Sequence, residues 1–451
     1  MVLCPIILNI GHRRKMKFSV KNILEMEVCL ALGCTEPVAI ALGAAAAATL
    51  LPGLKFDHIH LIIDPNIYKN GLAVVIPGSG GLTGLDTASA LGAFGGDAYG
   101  KLEVLSSLSP EMVARASAFL AEGRVKVDLR EESGLYVKTT ISGGGHVAES
   151  LITDVHTNIV SLMLDGEEVA DPRLVATEAM STGNKLAELE EWLRSLTLED
   201  ILDLTNELDE ADLDFLEEGV QHNLRLAEYG LKHGSGLGIG KDIDRLLKQK
   251  LLVKDMTTSA RMLTSAAADA RMDGVNLPAM SSGGSGNHGL TAILPIWAIK
   301  DFIETDRESV LRAIGLSHII TAYIKAHTGR LSAVCGCSVA AGAGATAGIT
   351  YLVGGDLQQV EGAIKNILED LAGVICDGAK AGCAIKLNTA AGAAVQAALF
   401  SLQGVSVKDT DGIIGDSTRQ TVQNIGDLSN YGMVATDKTI LKIMRAKHKK
   451  G

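Results

Sequence analysis

VCGCSVAAGAGATAGITYLVGG, residues 334–355, carries two cysteines one residue apart and then a run of glycine, alanine and threonine without a charge. It reads as a metal-binding turn, as a membrane span, or as a tightly packed helix that contains thiols. Its composition is that of the chain at large. Hydrophobic residues make up 47% of 451 positions, aromatic ones only 4%, and there are 50 glycines. Such a core packs through small residues and close backbone approach, as membrane bundles also do. The longest uncharged runs, 37–54 and 331–355, have the length to cross a bilayer. Both are dominated by Ala and Gly rather than Leu, Ile and Phe, and neither has an aromatic belt. The stretch therefore reads as part of a buried helical body rather than as a span.

At this length two domains are expected, each with a sizeable interior. The formal net charge of −12 argues against nucleic acid or an anionic membrane as a partner, because both need clustered Lys and Arg. The basic clusters, HRRKMK and RAKHKK, are terminal and read as solvated ends. The start, MVLCPIILNIGHRRKMKF, puts its charges after the apolar stretch and shows no cleavage signal, so the cytoplasm is expected. An internal start at Met16 would precede the patterned region. Seven cysteines, an odd number, make a disulfide framework improbable. Cys4 and Cys29 read as a terminal residue and a buried helix residue. The other five, Cys34, Cys335, Cys337, Cys376 and Cys383, sit in glycine-containing turns.

FSVKNILEMEVCLALG (18–33) reads as an amphipathic helix broken at Gly33, and a second, Ala-rich helix starts from CTEP with Thr35 as its cap. Period-two alternation appears over 56–64 and again over 123–169, where turn residues separate several short strands. Between them lie a glycine turn that opens a helix and a Ser-capped helix, SPEMVARASAFLAEG. After 171 acidic amphipathic helices give way to Ala-rich ones. The expected fold class is α+β: a mainly helical body of 1–53 plus 171–451, with a small α+β domain over 54–170 that contains a mostly antiparallel sheet. That arrangement would let Cys34 reach the C-terminal cysteines.

Cys335 and Cys376 are 41 positions apart and Cys376 and Cys383 are 7 apart. Zinc sites usually pair CxxC knuckles, and the C-x-C here lacks a second pair. Three thiolates from glycine-containing turns could instead hold an iron–sulfur cluster and leave one iron without a protein ligand; buried structural thiols are the third reading. Cys34 lies just before a helix, where the macrodipole favours a thiolate that could act as nucleophile or base, or be a small buried thiol in a cap turn. SSGGSGNHGLTAILP (281–295) offers hydroxyls and Asn287–His288 above a helix start, suited to a carboxylate or phosphate. It is not a P-loop, and no hydrophobic strand precedes it as in a Rossmann turn. IPGSGGLTG (76–84) is a second loop of this kind. Lys380 and Lys386 raise the question of a pyridoxal phosphate Schiff base, but nothing near them supplies that cofactor's partners.

GCTEPVAIA, IPGSGG, SGGSGNHG, LSAVCGCSVAAGAGA, GVICDGAKAGCAIK and the tail IGDLSNYGMVATDKTILKIM resemble the L-cysteine desulfidase group, relatives of the iron–sulfur L-serine dehydratase alpha chain, over 18–446. The resemblance implies a 4Fe-4S cluster with one open iron, no pyridoxal phosphate, and β-elimination from a small L-amino acid to pyruvate and ammonia. The implied cluster ligands are Cys376, Cys383 and Cys335, with Cys337 as the rival to Cys335. The implied base is Cys34, and Gly33 stands where some members carry a glutamate. Ser285, Asn287 and His288 would orient the carboxylate and ammonium of the substrate, with His327 either behind them or purely structural. L-cysteine is the first expectation for the substrate, in cysteine catabolism, and L-serine the alternative. A non-catalytic cluster-binding sensor or scaffold and a membrane transporter are the rivals from other classes; a homo-oligomer is left open.

Overall fold

The computed structural model describes residues 16–448 apart from 52, 54, 133, 176–181 and 330–331. Cys4, most of HRRKMK and the end of RAKHKK lie outside the described residues. The chain opens with α1 (Val20–Glu27), which Ser19 caps through a reciprocal pair of bonds with Asn22. This helix is shorter than its sequence pattern suggests. Residues beyond Val28 leave it because β1 (Leu30–Ala31) pairs antiparallel with β8 (Ala279–Met280). Cys29 is consequently exposed and outside any helix, not a buried helix residue.

Gly33, in the left-handed region at φ 71°, turns the chain into α2 (Thr35–Ala48). Cys34, not Thr35, holds the N-cap position, and its side chain makes no capping bond. A side chain at residue 33 would collide with Pro77, so a glutamate has no room there. α2 is buried on every side. Its residues, grouped by sequence with the helical body, pack against α4 (Leu85–Gly95) and the sheet, in the core of the α+β unit.

That unit runs from β2 (His58–Ile63) through α3 (Pro65–Gly71), α4, α5 (Pro110–Ala121), β3 (Val125–Leu129), β4 (Tyr136–Gly143), β5 (His146–Thr153), β6 (Ile159–Leu164) and β7 (Glu167–Glu168). The strand order is β3-β2-β4-β5-β6-β7, with β2–β3 parallel and the other pairs antiparallel. β4 alternates buried with half-buried positions, as a sheet with one covered face must. Loop 76–84 is a turn closed by the Val75–Thr83 bridge ahead of α4.

The remainder is helical: α6 (Thr182–Ser195), α7 (Leu198–Asn206), α8 (Glu210–His233), α9 (Ile239–Lys248), α10 (Met256–Met272), α11 (Gly286–Ile299), α12 (Arg307–Thr328), α13 (Ala340–Leu352), α14 (Leu357–Leu371), α15 (Cys383–Leu402), α16 (Thr418–Asp427), a π-helical turn (Leu428–Gly432) and α17 (Val434–His448). Apart from β8 the strands lie before residue 171 among the described residues, in agreement with the mainly helical α+β expectation. The main apolar core is built around α12 and α13. Close approach explains the composition: a Cβ on Gly344 would strike the Ser317 carbonyl of α12, and one on Gly348 the Ala313 carbonyl. Among the described helices of that length only α15 is apolar enough to cross a membrane, and more than half of it is buried in protein.

Candidate functional site

Residues 333–335 and 374–376 run side by side. The Cys335 amide donates to the Val374 carbonyl at 2.8 Å and the Cys376 amide to the Ala333 carbonyl at 2.7 Å, about a Val334–Ile375 bridge. In an antiparallel pair with this register, Cys335 and Cys376 point to one face as diagonal neighbours, about 7–8 Å apart. Cys337 follows in the turn that leads into α13, and Cys383 is the first residue of α15. Cys34 arrives from the other end of the chain at the start of α2. It shares a small apolar cluster with Val74 and Met272, against which Cys383 packs.

All five thiols face one cavity of about 90 Å³, together with Ser285, Asn287 and His288. Cys34, the four C-terminal thiols and the 285–288 loop, singled out from the sequence, are thus in the same place. Loop 76–84 is not among the cavity's lining residues; its Pro77 backs Gly33 instead. His327 does not line the cavity either; its ring packs edge-on against Tyr323.

Of the two readings of Cys34, the electrostatics favour the buried thiol. Burial and the adjacent Glu36 carboxylate push this thiol well above its ordinary value; Arg271 acts in the opposite sense but is outweighed. Cys34 donates to Glu36 Oε2 at 2.9 Å, and the Thr35 hydroxyl donates to the same oxygen at 3.2 Å. The resting group is a protonated thiol with a proton acceptor in hand, because a dry site penalises the thiolate more than a helix start favours it. Cys335 is shifted the other way: the neighbouring Cys337 thiol lowers it, with Ser338 acting in the same sense against burial, while Cys335 and burial raise Cys337. Burial raises Cys383 to about 11 and also raises Cys376, whose sulfur lies 4.0 Å from Asn70 Oδ1.

The 281–288 loop is held from behind. A short strand, β8, does precede it, and the Ser281 amide donates to the Cys29 carbonyl at 2.8 Å. His288 Nδ1 sits 3.1 Å from the Ser282 carbonyl, which only an N–H can satisfy, leaving Nε2 as an acceptor beside Gly336 on the cavity wall. Burial, reinforced by Lys325, lowers His288 to about 3, so the ring is neutral. His318 Nδ1 lies 2.9 Å from Ser282 Oγ and braces the same residue.

Arg271, at the end of α10, was not found from the sequence. It is 2% exposed, donates from Nη1 to Asn287 Oδ1 at 2.9 Å and from Nη2 to the Gly33 carbonyl, and so ties the Cys34 segment to the 285–288 loop. Gly286 leaves room for its guanidinium. Glu36, Lys325 and Lys386 also line the cavity. Lys386 and Lys380 each lie 2.5 Å from Asp377 Oδ1. Burial would raise Asp377, but the two ammonium groups outweigh it and hold the carboxyl at about 2.

The five thiols that line the cavity beside His288 and Glu36 suit an iron–sulfur cluster or zinc. Among the described residues no group of three or more Cys, His, Asp or Glu side chains converges as a single ion requires. Thiolates around a cluster bind separate irons and need not converge on one point. The set therefore fits a cluster better than a lone zinc.

A helical body and a mixed α+β unit thus enclose a small cavity lined by five thiols. Comparison with known families bears on this: a family model described as the serine dehydratase alpha chain matches residues 101–442. A UPF0597 protein of Desulfatibacillum aliphaticivorans is 58% identical over 434 residues, covering 96% of this chain and 99% of its own. A UPF0597 protein of Clostridioides difficile is 45% identical over 433 residues, covering 95% and 99%, and one of Geobacter sulfurreducens is 39% identical over 428 residues, covering 94% and 98%. The chain belongs to the serine dehydratase alpha chain family. The family supports a dehydratase-like lyase activity.

Proposed function

We propose that the protein is an iron–sulfur-dependent lyase that eliminates the β-substituent of a small L-amino acid, with L-cysteine as substrate and pyruvate, ammonia and hydrogen sulfide as products. The observation that carries this reading is that Cys34, the C-terminal thiols and the 285–288 loop, from distant parts of the chain, line one cavity. Cys335, Cys376 and Cys383 would hold the 4Fe-4S cluster. Cys337 is the alternative to Cys335, since both thiols line the cavity. When bound, the cluster supplies a Lewis-acidic iron that neutralises charge on a carboxylate and improves a leaving group.

The chain's own groups do the rest. His288 Nε2, kept neutral by burial, accepts a hydrogen bond from the substrate ammonium, and Asn287 and Ser285 orient the carboxylate. Cys34 gives its proton to Glu36 and takes the Cα proton. The electron pair left at Cα forms the Cα–Cβ double bond as HS⁻ departs, and the aminoacrylate tautomerises and hydrolyses in water. Arg271 keeps the two halves of the site in register.

A second reading, elimination of water from L-serine, is favoured by the family description and uses the same groups. Anaerobic steady-state assays of pyruvate and sulfide release separate the two: a larger kcat/KM for L-serine would overturn the choice of L-cysteine. A non-catalytic cluster-binding protein would release no pyruvate from either. The reading takes the protein to be cytoplasmic, without a nucleic-acid or membrane partner.

A further inference from the structure

Behind the thiol turn lies a second cavity, of about 640 Å³, between α3, the end of β3, Ser332–Ala333, the π-helical turn and α17. Ser332 lines both cavities. Four cations, Lys69, Arg130, Lys438 and Arg445, face it against two carboxylates, Glu131 and Asp437, a local reversal in a chain of net charge −12. Lys69 is 2% exposed and lies 2.5 Å from Asp437 Oδ1. Lys438 and Arg445 have no carboxylate partner among the described residues.

Of the lining residues, Ser429, 4% exposed, has an Oγ that finds no hydrogen-bond partner among the described residues and that can donate to an anion. A buried hydroxyl without a partner is rare in folded proteins and points to a ligand or water that completes it. Leu129, Met433 and Leu441 supply an apolar part of the wall beside the polar Asn430, and the volume is that of a small-molecule site.

We propose that this cavity is a second binding site, for a small organic carboxylate whose charge is met by Lys69, Lys438 and Arg445 in competition with Asp437 and whose apolar part packs on the wall. Its occupancy would be felt at the thiols. The Lys69 carbonyl lies against Gly378, where a side chain would collide with it, and the next residue, Asn70, faces the Cys376 sulfur. α3 thus joins the cavity wall to the turn that carries Cys376 and Cys383.

Calorimetric titration of the intact protein with isovalerate and with inorganic phosphate tests this without any turnover, so its outcome is independent of the reaction proposed above. Isovalerate is expected to bind saturably and more tightly than phosphate. A Lys438→Gln/Arg445→Gln variant, both positions being exposed, is expected to weaken it by about tenfold or more through loss of two charge-assisted contacts. Asp437→Asn, which frees Lys69, is expected to tighten it; should that variant not fold, the double variant alone decides. Absence of saturable binding, or unchanged affinity in the double variant, would overturn the site. Phosphate binding as tightly as isovalerate would overturn the carboxylate class.

Discussion

Replacing Arg271 by Met removes the link between the Cys34 segment and the 285–288 loop while keeping most of the side chain's length. The Asn287 Oδ1 and Gly33 carbonyl acceptors are left buried without their donor, at about 1–3 kcal/mol each. The relief of a buried guanidinium, whose Nε makes no hydrogen bond among the described residues, offsets part of this. The net loss of stability is expected at about 2 kcal/mol, read by urea unfolding. Function should suffer more, because misplacing positioning groups by an ångström costs about 100-fold in rate. Arg271 also pulls the Cys34 thiol downward, so Arg271→Met should slow alkylation of Cys34 by iodoacetamide at fixed pH, an effect that a merely structural role would not produce. Arg271→Lys, able to reach one acceptor, should fall between. A folded Arg271→Met enzyme with undiminished kcat/KM and unchanged alkylation would refute the linking role.

Glu36→Gln removes the acceptor of the Cys34 proton and should lower kcat by about 10²–10⁴ with iron content unchanged; loss of iron instead would place Glu36 in cofactor retention. Cys335→Ala should abolish cluster absorbance near 400 nm whereas Cys337→Ala should keep it, and the reverse result would exchange their roles. Burial holds His318 neutral, lowered to about 3. The unfolded chain therefore binds the extra proton below the ordinary histidine range, and stability that is full at neutral pH is lost as pH falls through about 6.5. At pH 5 this amounts to about 2 kcal/mol; the acid sensitivity should shrink in His318→Gln, and a pH-stability curve identical to the parent's would contradict it.

The thiols were legible in the sequence because cysteine is rare and each one in the cavity stands in a glycine-containing turn whose backbone has to offer the side chain. What joins them was not. The strand that pairs Cys335 with Cys376 consists of single residues about one bridge, too short for any periodicity. Residues 18–33 keep a helical pattern to Gly33, yet β1 is captured by β8 across 250 positions of sequence, and local spacing carries no record of that partner. α3 could have been found: Asp64 before Pro65 is a cap followed by proline at the first helical position, and Asp64 Oδ1 accepts the Asn66 amide at 2.8 Å. Arg271 had no signal, since one arginine in an Ala-rich helix looks the same whether it faces water or a site. The state of Cys34 stays open in the sequence, because the helix start is written there and the burial that opposes a thiolate is not.

Mössbauer spectra of the anaerobically purified, iron-57-labelled protein, recorded before and after addition of L-cysteine, address the three-thiol centre itself. The account predicts a 4Fe-4S signature in which a single iron subsite shifts with the amino acid while the others stay. A protein that takes up no cluster under reconstitution, or a cluster whose irons all ignore L-cysteine and L-serine alike, would contradict it.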